Sequence, residues 1–228
     1  MLVKDMMQSD IELMKRDRYL KDGGHKVFSI MNKDSRIFVA GATGMVGNAI
    51  LRELLAAGFK DIVGSYHRRR PADFDTDAVH FIQADLIRQQ EVEDLFGEHC
   101  PEYVFMAAAK VGGIMANSTY KADFIYQNMM ISANIIHASY KTEVKKLLNL
   151  GSSCVYPRMA PQPMKEDYLL TGSLEPTNEP YAAAKISAIK LCRYYNEQYG
   201  TNFISLMPTN TNAINKLTNN YIYVNHKA

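Results

Sequence analysis

Arg36-Ile37-Phe38-Val39-Ala40-Gly41-Ala42-Thr43-Gly44-Met45-Val46-Gly47 decides the fold. Ile37–Ala40 is a short, apolar, β-rich run, and a helical pattern begins at Met45 and continues to Ala57. Between them, Gly41 and Gly44 carry no side chains, so the backbone can turn tightly and come close to a pyrophosphate. The helix start behind them offers free N–H groups and a partial positive charge. Gly47 lets the helix lie close to the strand. A lone glycine triplet is a weak signal, but strand, triplet and helix in this order point to a dinucleotide site.

The alternation continues beyond that opening. Further strands are predicted at Asp61–Ser65, His80–Gln83, Tyr103–Ala107, Lys146–Leu150 and Asn202–Met207, with helices at Gln89–Phe96, Tyr120–Tyr140 and Tyr181–Tyr199. Six strands joined by right-handed crossovers make an α/β fold with a doubly wound parallel (Rossmann) sheet, whose ligand site lies at the carboxyl ends of the strands. Residues 35–210 form that domain. Residues 1–34, charged and weakly patterned, read as a poorly ordered leader, and 211–228 as a divergent tail with no packed element of its own.

At 228 residues and 47% hydrophobic, the chain can bury the core of one such domain. A net charge of +2, from 26 basic and 24 acidic residues, leaves no footprint for nucleic acid or for an anionic membrane. Three scattered cysteines, Cys100, Cys154 and Cys192, fit neither a disulfide framework nor a metal site, so a reducing cytoplasm is expected and no metal. No apolar run reaches the length of a bilayer span.

Tyr181-Ala-Ala-Ala-Lys185 places a phenol and an ammonium at i and i+4, stacked on one helical face behind Pro180. The ammonium is expected to favour the ionised phenol, which makes Tyr181 a candidate acid toward a carbonyl. Tyr223 and Lys227 repeat the spacing in a run of Asn and Thr without helical pattern, and are set aside.

Four more stretches fall at strand ends. His67-Arg68-Arg69-Arg70 stands where an acid would bind the ribose hydroxyls of NAD, so it either pairs with the 2′-phosphate of NADP or is a solvated basic turn. Asp85 either reaches an adenine or caps the next helix. Ala107-Ala108-Ala109 is small enough for a cofactor to lie against backbone. In Leu150-Gly151-Ser152-Ser153-Cys154, residues 152 and 154 face the same way if the chain stays extended. That brings together a hydrogen-bonding hydroxyl and a thiol that is either a base or a small buried hydrophobe. His137 reads as a structural histidine.

These motifs together resemble the extended short-chain dehydrogenase/reductases. Ala107-Ala-Ala-Lys-Val-Gly-Gly-Ile114, Tyr126-Gln-Asn-Met-Met130, Leu150-Gly-Ser-Ser-Cys-Val-Tyr-Pro157, Leu174-Glu-Pro-Thr-Asn-Glu-Pro-Tyr181 and Met207-Pro-Thr-Asn210 narrow the likeness to the GDP-L-fucose synthase family over about residues 35–210. The resemblance implies NADPH-dependent 3,5-epimerisation and 4-reduction of GDP-4-keto-6-deoxy-D-mannose. It implies cofactor contacts from Gly41, Ala42, Thr43, Gly44, Met45, Val46 and Gly47, from Leu150, Gly151, Ser152 and Ser153, and from Lys185, Pro208, Thr209 and Asn210. Arg68 and Arg69 are the candidates for the 2′-phosphate. Tyr181 would be the proton donor at C4, Lys185 its partner, Ser152 a hydrogen bond to the same oxygen, and Cys154 the base at C3 and C5. A homodimer is also implied, with Phe124, Ile125, Ile135 and Ile136 facing either a mate or the sheet. The family's smaller substrate domain is expected to be largely missing, because Thr211-Asn-Ala-Ile-Asn departs from the family pattern and the chain stops at Ala228. His226 is not in the context of the family's epimerisation acid.

Overall fold

The computed structural model describes residues 31–71, 74, 77–208 and 221–224. Strands β1 (Ile37–Ala40), β2 (Ile62–Tyr66), β3 (Val79–Gln83), β4 (Tyr103–Met106), β5 (Lys146–Leu150) and β6 (Phe203–Pro208) lie parallel, and β7 (Tyr221–Val224) runs antiparallel beside β6. The helices are α1 (Met45–Ala56), α2 (Gln89–His99), α3 (Ile114–Thr119), α4 (Lys121–Lys141) and α5 (Glu179–Tyr199). Strand order is β3-β2-β1-β4-β5-β6-β7, so the winding reverses between β1 and β4. Ligand crevices of open α/β sheets form at such a reversal.

Alternation along the strands divides the core between two helical layers. Ile37 and Val39 of β1 face α1 and bury with its Ile50, Leu51 and Leu54. Phe38 and Ala40 point the other way and bury with Phe96 of α2, Ile135 and Ile136 of α4, and Ala188 and Cys192 of α5. Phe38 and Phe96 meet edge to face at 5.2 Å. Phe124, Ile135 and Ile136 are thus core residues, and cannot meet a second subunit.

Met31 packs against the α1-side core, and Lys33 sits 4.2 Å from the Phe59 ring centroid. Helix α3 was not expected, and the expectation that 211–228 holds no packed element fails at β7: Tyr221-Ile-Tyr-Val224 is a short β-favouring run that pairs antiparallel with β6. Helix α2 runs three residues past the expected Phe96 and ends at Cys100 in the left-handed region. Pro180 lies in the first turn of α5, and Gly200, at φ +69°, ends it. No described helix is long and apolar enough to cross a membrane.

Candidate active site

The turn after β1 is built so that nothing larger than glycine fits at two places. Gly41 has φ +78°, and a Cβ there would lie 2.7 Å from the Ala108 Cα. A Cβ at Gly47 would lie 2.1 Å from the Gly41 carbonyl oxygen, so α1 packs directly on the turn. Gly44 caps α1 with no side-chain hydrogen bond, and the first turn of the helix holds no acid. Its free N–H groups and positive end therefore stay available to an anion.

This turn forms one wall of a crevice of about 360 Å³ at the switch point. Gly41, Thr43 and Gly44 line it from β1, Ser65–Arg68 from β2, Ala84–Ile87 from β3 and Ala107–Lys110 from β4. The alanines keep the wall shallow. A dinucleotide fits this donor set: unclaimed helix N–H groups for the diphosphate, and a cation after β2. Ala42 is turned into the core instead, and Val46 packs against the same core. Met45 stands half exposed at the helix start. Of the basic triplet, only Arg68 lines the crevice; the Arg70 guanidinium lies 5.7 Å from the Phe81 ring centroid. Asp85 also lines it, but does not cap α2. That place belongs to Arg88, while Asp85 accepts a hydrogen bond from the Ile87 N–H at 3.2 Å.

A second cavity, of about 510 Å³, opens beyond the alanine wall, with Ser152, Ser153, Cys154 and Tyr181 on its lining. Ser153–Val155 is a 3₁₀ turn, not extended strand, so the expected strand alternation does not apply there. The turn still brings the Ser152 hydroxyl into hydrogen-bonding position on the Cys154 thiol. Lys185 is 4% exposed and donates from Nζ to the Leu150 carbonyl at 2.7 Å. Its Nζ lies 5.8 Å from the Tyr181 ring centroid. Leu150 is a core residue that offers its backbone, and Gly151 is buried beside it. Pro208 ends β6, while Thr209 and Asn210 lie outside the described residues.

The electrostatics differ from the sequence expectation in one respect. Burial pushes the Tyr181 phenol well above its ordinary value, with the nearby Cys154 adding to the effect, so the residue is held in its acid form. The ammonium does not win because its own burial lowers Lys185 from 10.5 to about 8. Burial also raises the Cys154 thiol, against the Ser152 hydrogen bond and the Lys185 charge. A proton donor, a hydroxyl and a mutable thiol thus share one cavity.

Sequence spacing missed other residues on this lining. Asn117 and Asn178 each hold a buried side-chain oxygen without a hydrogen-bond partner, and Arg158 pairs with Glu175 at 3.2 Å. The nearness of Asn178 to Tyr181 is the only signal that marks any of them. His137 is satisfied by the Tyr195 hydroxyl at 2.7 Å, as a structural histidine. Among the described residues there is no cluster of His, Cys, Asp and Glu that could hold a metal ion.

A parallel sheet with a glycine turn at its switch point, and a Tyr/Lys pair opening onto the neighbouring cavity, define a dinucleotide-binding domain of the short-chain dehydrogenase/reductase type. The model of the NAD dependent epimerase/dehydratase family matches residues 37–220, and the chain belongs to that family. It is 53% identical over 175 residues to GDP-L-fucose synthase of Escherichia coli K12, covering 77% of this chain and 50% of that protein. With GDP-L-fucose synthase 1 of Arabidopsis thaliana it shares 51% identity over 187 residues, covering 82% and 54%. The chain thus spans about half the length of these relatives. Among solved structures, DdhaC superposes with a TM-score of 0.72 at 50% identity, covering 79% of this chain and 48% of its own. A GDP-L-fucose synthetase from Naegleria fowleri, bound to NADP, superposes at 0.66 with 28% identity, covering 80% and 56%.

Proposed function

We propose that this chain carries the NADP(H)-binding and proton-transfer half of a GDP-L-fucose synthase, acting in 3,5-epimerisation and 4-reduction of GDP-4-keto-6-deoxy-D-mannose. The observation that carries the reading is the shared cavity of Ser152, Cys154 and Tyr181, with Lys185 directly behind it. NADPH supplies a hydride when bound in the adjoining crevice. The Gly41–Gly47 turn and the start of α1 hold the diphosphate, and Arg68 meets the 2′-phosphate.

Tyr181 gives its proton to the C4 oxygen; its raised pKa means that it arrives at the reaction protonated. Ser152 donates a hydrogen bond to the same oxygen. Lys185, fixed on the Leu150 carbonyl, supplies positive charge as the phenolate forms. Cys154 removes the protons at C3 and C5, which the C4 ketone makes acidic, and passes them to solvent, while each carbanion takes a proton from solvent on its opposite face; Ser152 and Lys185 support the thiolate. The order is chemically coherent, since the ketone that permits epimerisation is the group reduced last.

The protein works as a homodimer in the cytoplasm. Tyr126, Met129, Tyr194 and Tyr199 stand exposed on α4 and α5 and support a mate there, and the three free cysteines suit a reducing compartment. Incubation with GDP-4-keto-6-deoxy-D-mannose and NADPH tests the activity, followed by nicotinamide absorbance and by the sugar product. Consumption of NADPH with formation of GDP-L-fucose supports the reading. NADPH binding without turnover means a binding module that has lost the chemistry.

A further inference from the structure

Asn149 is fully buried, and its amide oxygen has no hydrogen-bond partner. Lys185 is buried too, and its ammonium has three N–H groups but makes one hydrogen bond, to the carbonyl of Leu150, the residue next to Asn149. A buried acceptor lacking a donor and a buried cation with donors to spare are each costly alone.

The fold places them on one side of the sheet. Asn149 Nδ2 donates to the Ser205 hydroxyl at 3.1 Å, and that hydroxyl is hydrogen-bonded to the Cys192 thiol of α5. The Asn149 side chain therefore faces α5. Along that helix Lys185, Ala188 and Cys192 follow at i, i+3 and i+7, one stripe turned to the sheet, and all three are buried. One end of the stripe is tied to Leu150 and the other to Ser205, the partner of Asn149. Ala188 stands between them and brings only a single methyl to this part of the stripe.

We propose that Asn149 is a positioning residue for Lys185, its amide oxygen receiving a second N–H of the ammonium through one buried water. The inference rests on the reading of Lys185 as the partner of Tyr181. The bridge fixes the lysine side chain from below, so that its remaining N–H is aimed at the crevice and the Tyr181 side. It also supports the charged form against burial. The other titratable groups facing Lys185 are Tyr181 on its own helix and Cys154 on the turn after β5, while β5 and β6 present only the neutral Asn149 and Ser205.

The test is an NMR titration of the Lys185 ε-methylene in lysine-labelled protein, the signal assigned by its absence in Lys185→Met. Asn149→Leu should lower the titration midpoint by about one unit, a tenfold change in the protonation equilibrium, and Asn149→Asp should raise it. Ser205→Ala, which leaves the amide oxygen in place, should not move it. An unchanged midpoint in folded Asn149→Leu overturns the proposal. Where that variant does not fold, Asn149→Asp decides, and a midpoint equal to wild type overturns it. NADPH titration of the wild type separates the two ideas: no binding defeats the cofactor reading while leaving the Lys185 midpoint informative.

Discussion

Lys185 reaches from α5 to the carbonyl of Leu150 at 2.7 Å, so the last residue of β5 anchors the ammonium below Tyr181. This bond satisfies one N–H of a charge shielded from bulk solvent. The cost appears as the fall from 10.5 to about 8. A lysine whose folded value lies below its unfolded one destabilises the fold fully under pH 8, where both states hold the proton. Between pH 8 and 10.5 the unfolded chain binds more protons, and stability rises with pH.

Lys185→Met should therefore stabilise the protein at pH 7, by about 1–3 kcal/mol after the lost hydrogen bond is offset. The gain should shrink from pH 8 to pH 9.5. Urea denaturation of both proteins across that range checks it, and a variant less stable at pH 7 would show that the charge is compensated.

Gly41→Ala should unfold or markedly destabilise the domain, by about 2 kcal/mol or more, because φ +78° strains any L residue and the new methyl meets Ala108 backbone at 2.7 Å. Gly58 is the internal control, with φ +84° but open space around a Cβ, so Gly58→Ala bears the backbone strain alone. Thermal melts should place Gly41→Ala below Gly58→Ala.

Tyr181→Phe removes the proton donor while keeping the ring. NADPH consumption with GDP-4-keto-6-deoxy-D-mannose should fall by about 10²–10⁴-fold, with NADPH affinity unchanged in a fluorescence titration. Cys154→Ser should instead spare reduction relative to exchange of the C3 and C5 protons with deuterated water. Equal losses in both reactions would contradict separate roles for phenol and thiol.

The fold was legible because its cause is local: the apolar runs at β1, β4 and β5 and the glycine turn depend on short-range rules that the sequence states directly. Tyr181 and Lys185 were legible for the same reason, being one helical turn apart. What escaped depends on partners distant in sequence. The raised pKa of Tyr181 comes from burial by neighbouring segments, α3 is six residues long, and β7 is a four-residue apolar run inside a polar stretch. Asn117 reaches the cavity from a helix that spacing did not mark.

Arg68 and Arg69 are equivalent in the sequence and different in the structure. Both follow β2, but only Arg68 lines the crevice, where its guanidinium can face a phosphate monoester held against the glycine turn. Arg70 is engaged over the Phe81 ring, which leaves it a packing role. The acid that would favour ribose hydroxyls is missing from the Tyr66–Arg70 turn, so discrimination between NADPH and NADH falls to the cation. A charge-assisted contact of this kind is worth about 1.5–3 kcal/mol, or roughly 10- to 150-fold in affinity. Arg68→Ala should weaken NADPH binding by that factor and leave NADH binding nearly unchanged, while Arg69→Ala should alter neither by more than about twofold. Calorimetric titration of both variants with both nucleotides reads the four constants directly. An equal loss for NADPH and NADH in Arg68→Ala would move the arginine from the 2′-phosphate to the shared diphosphate.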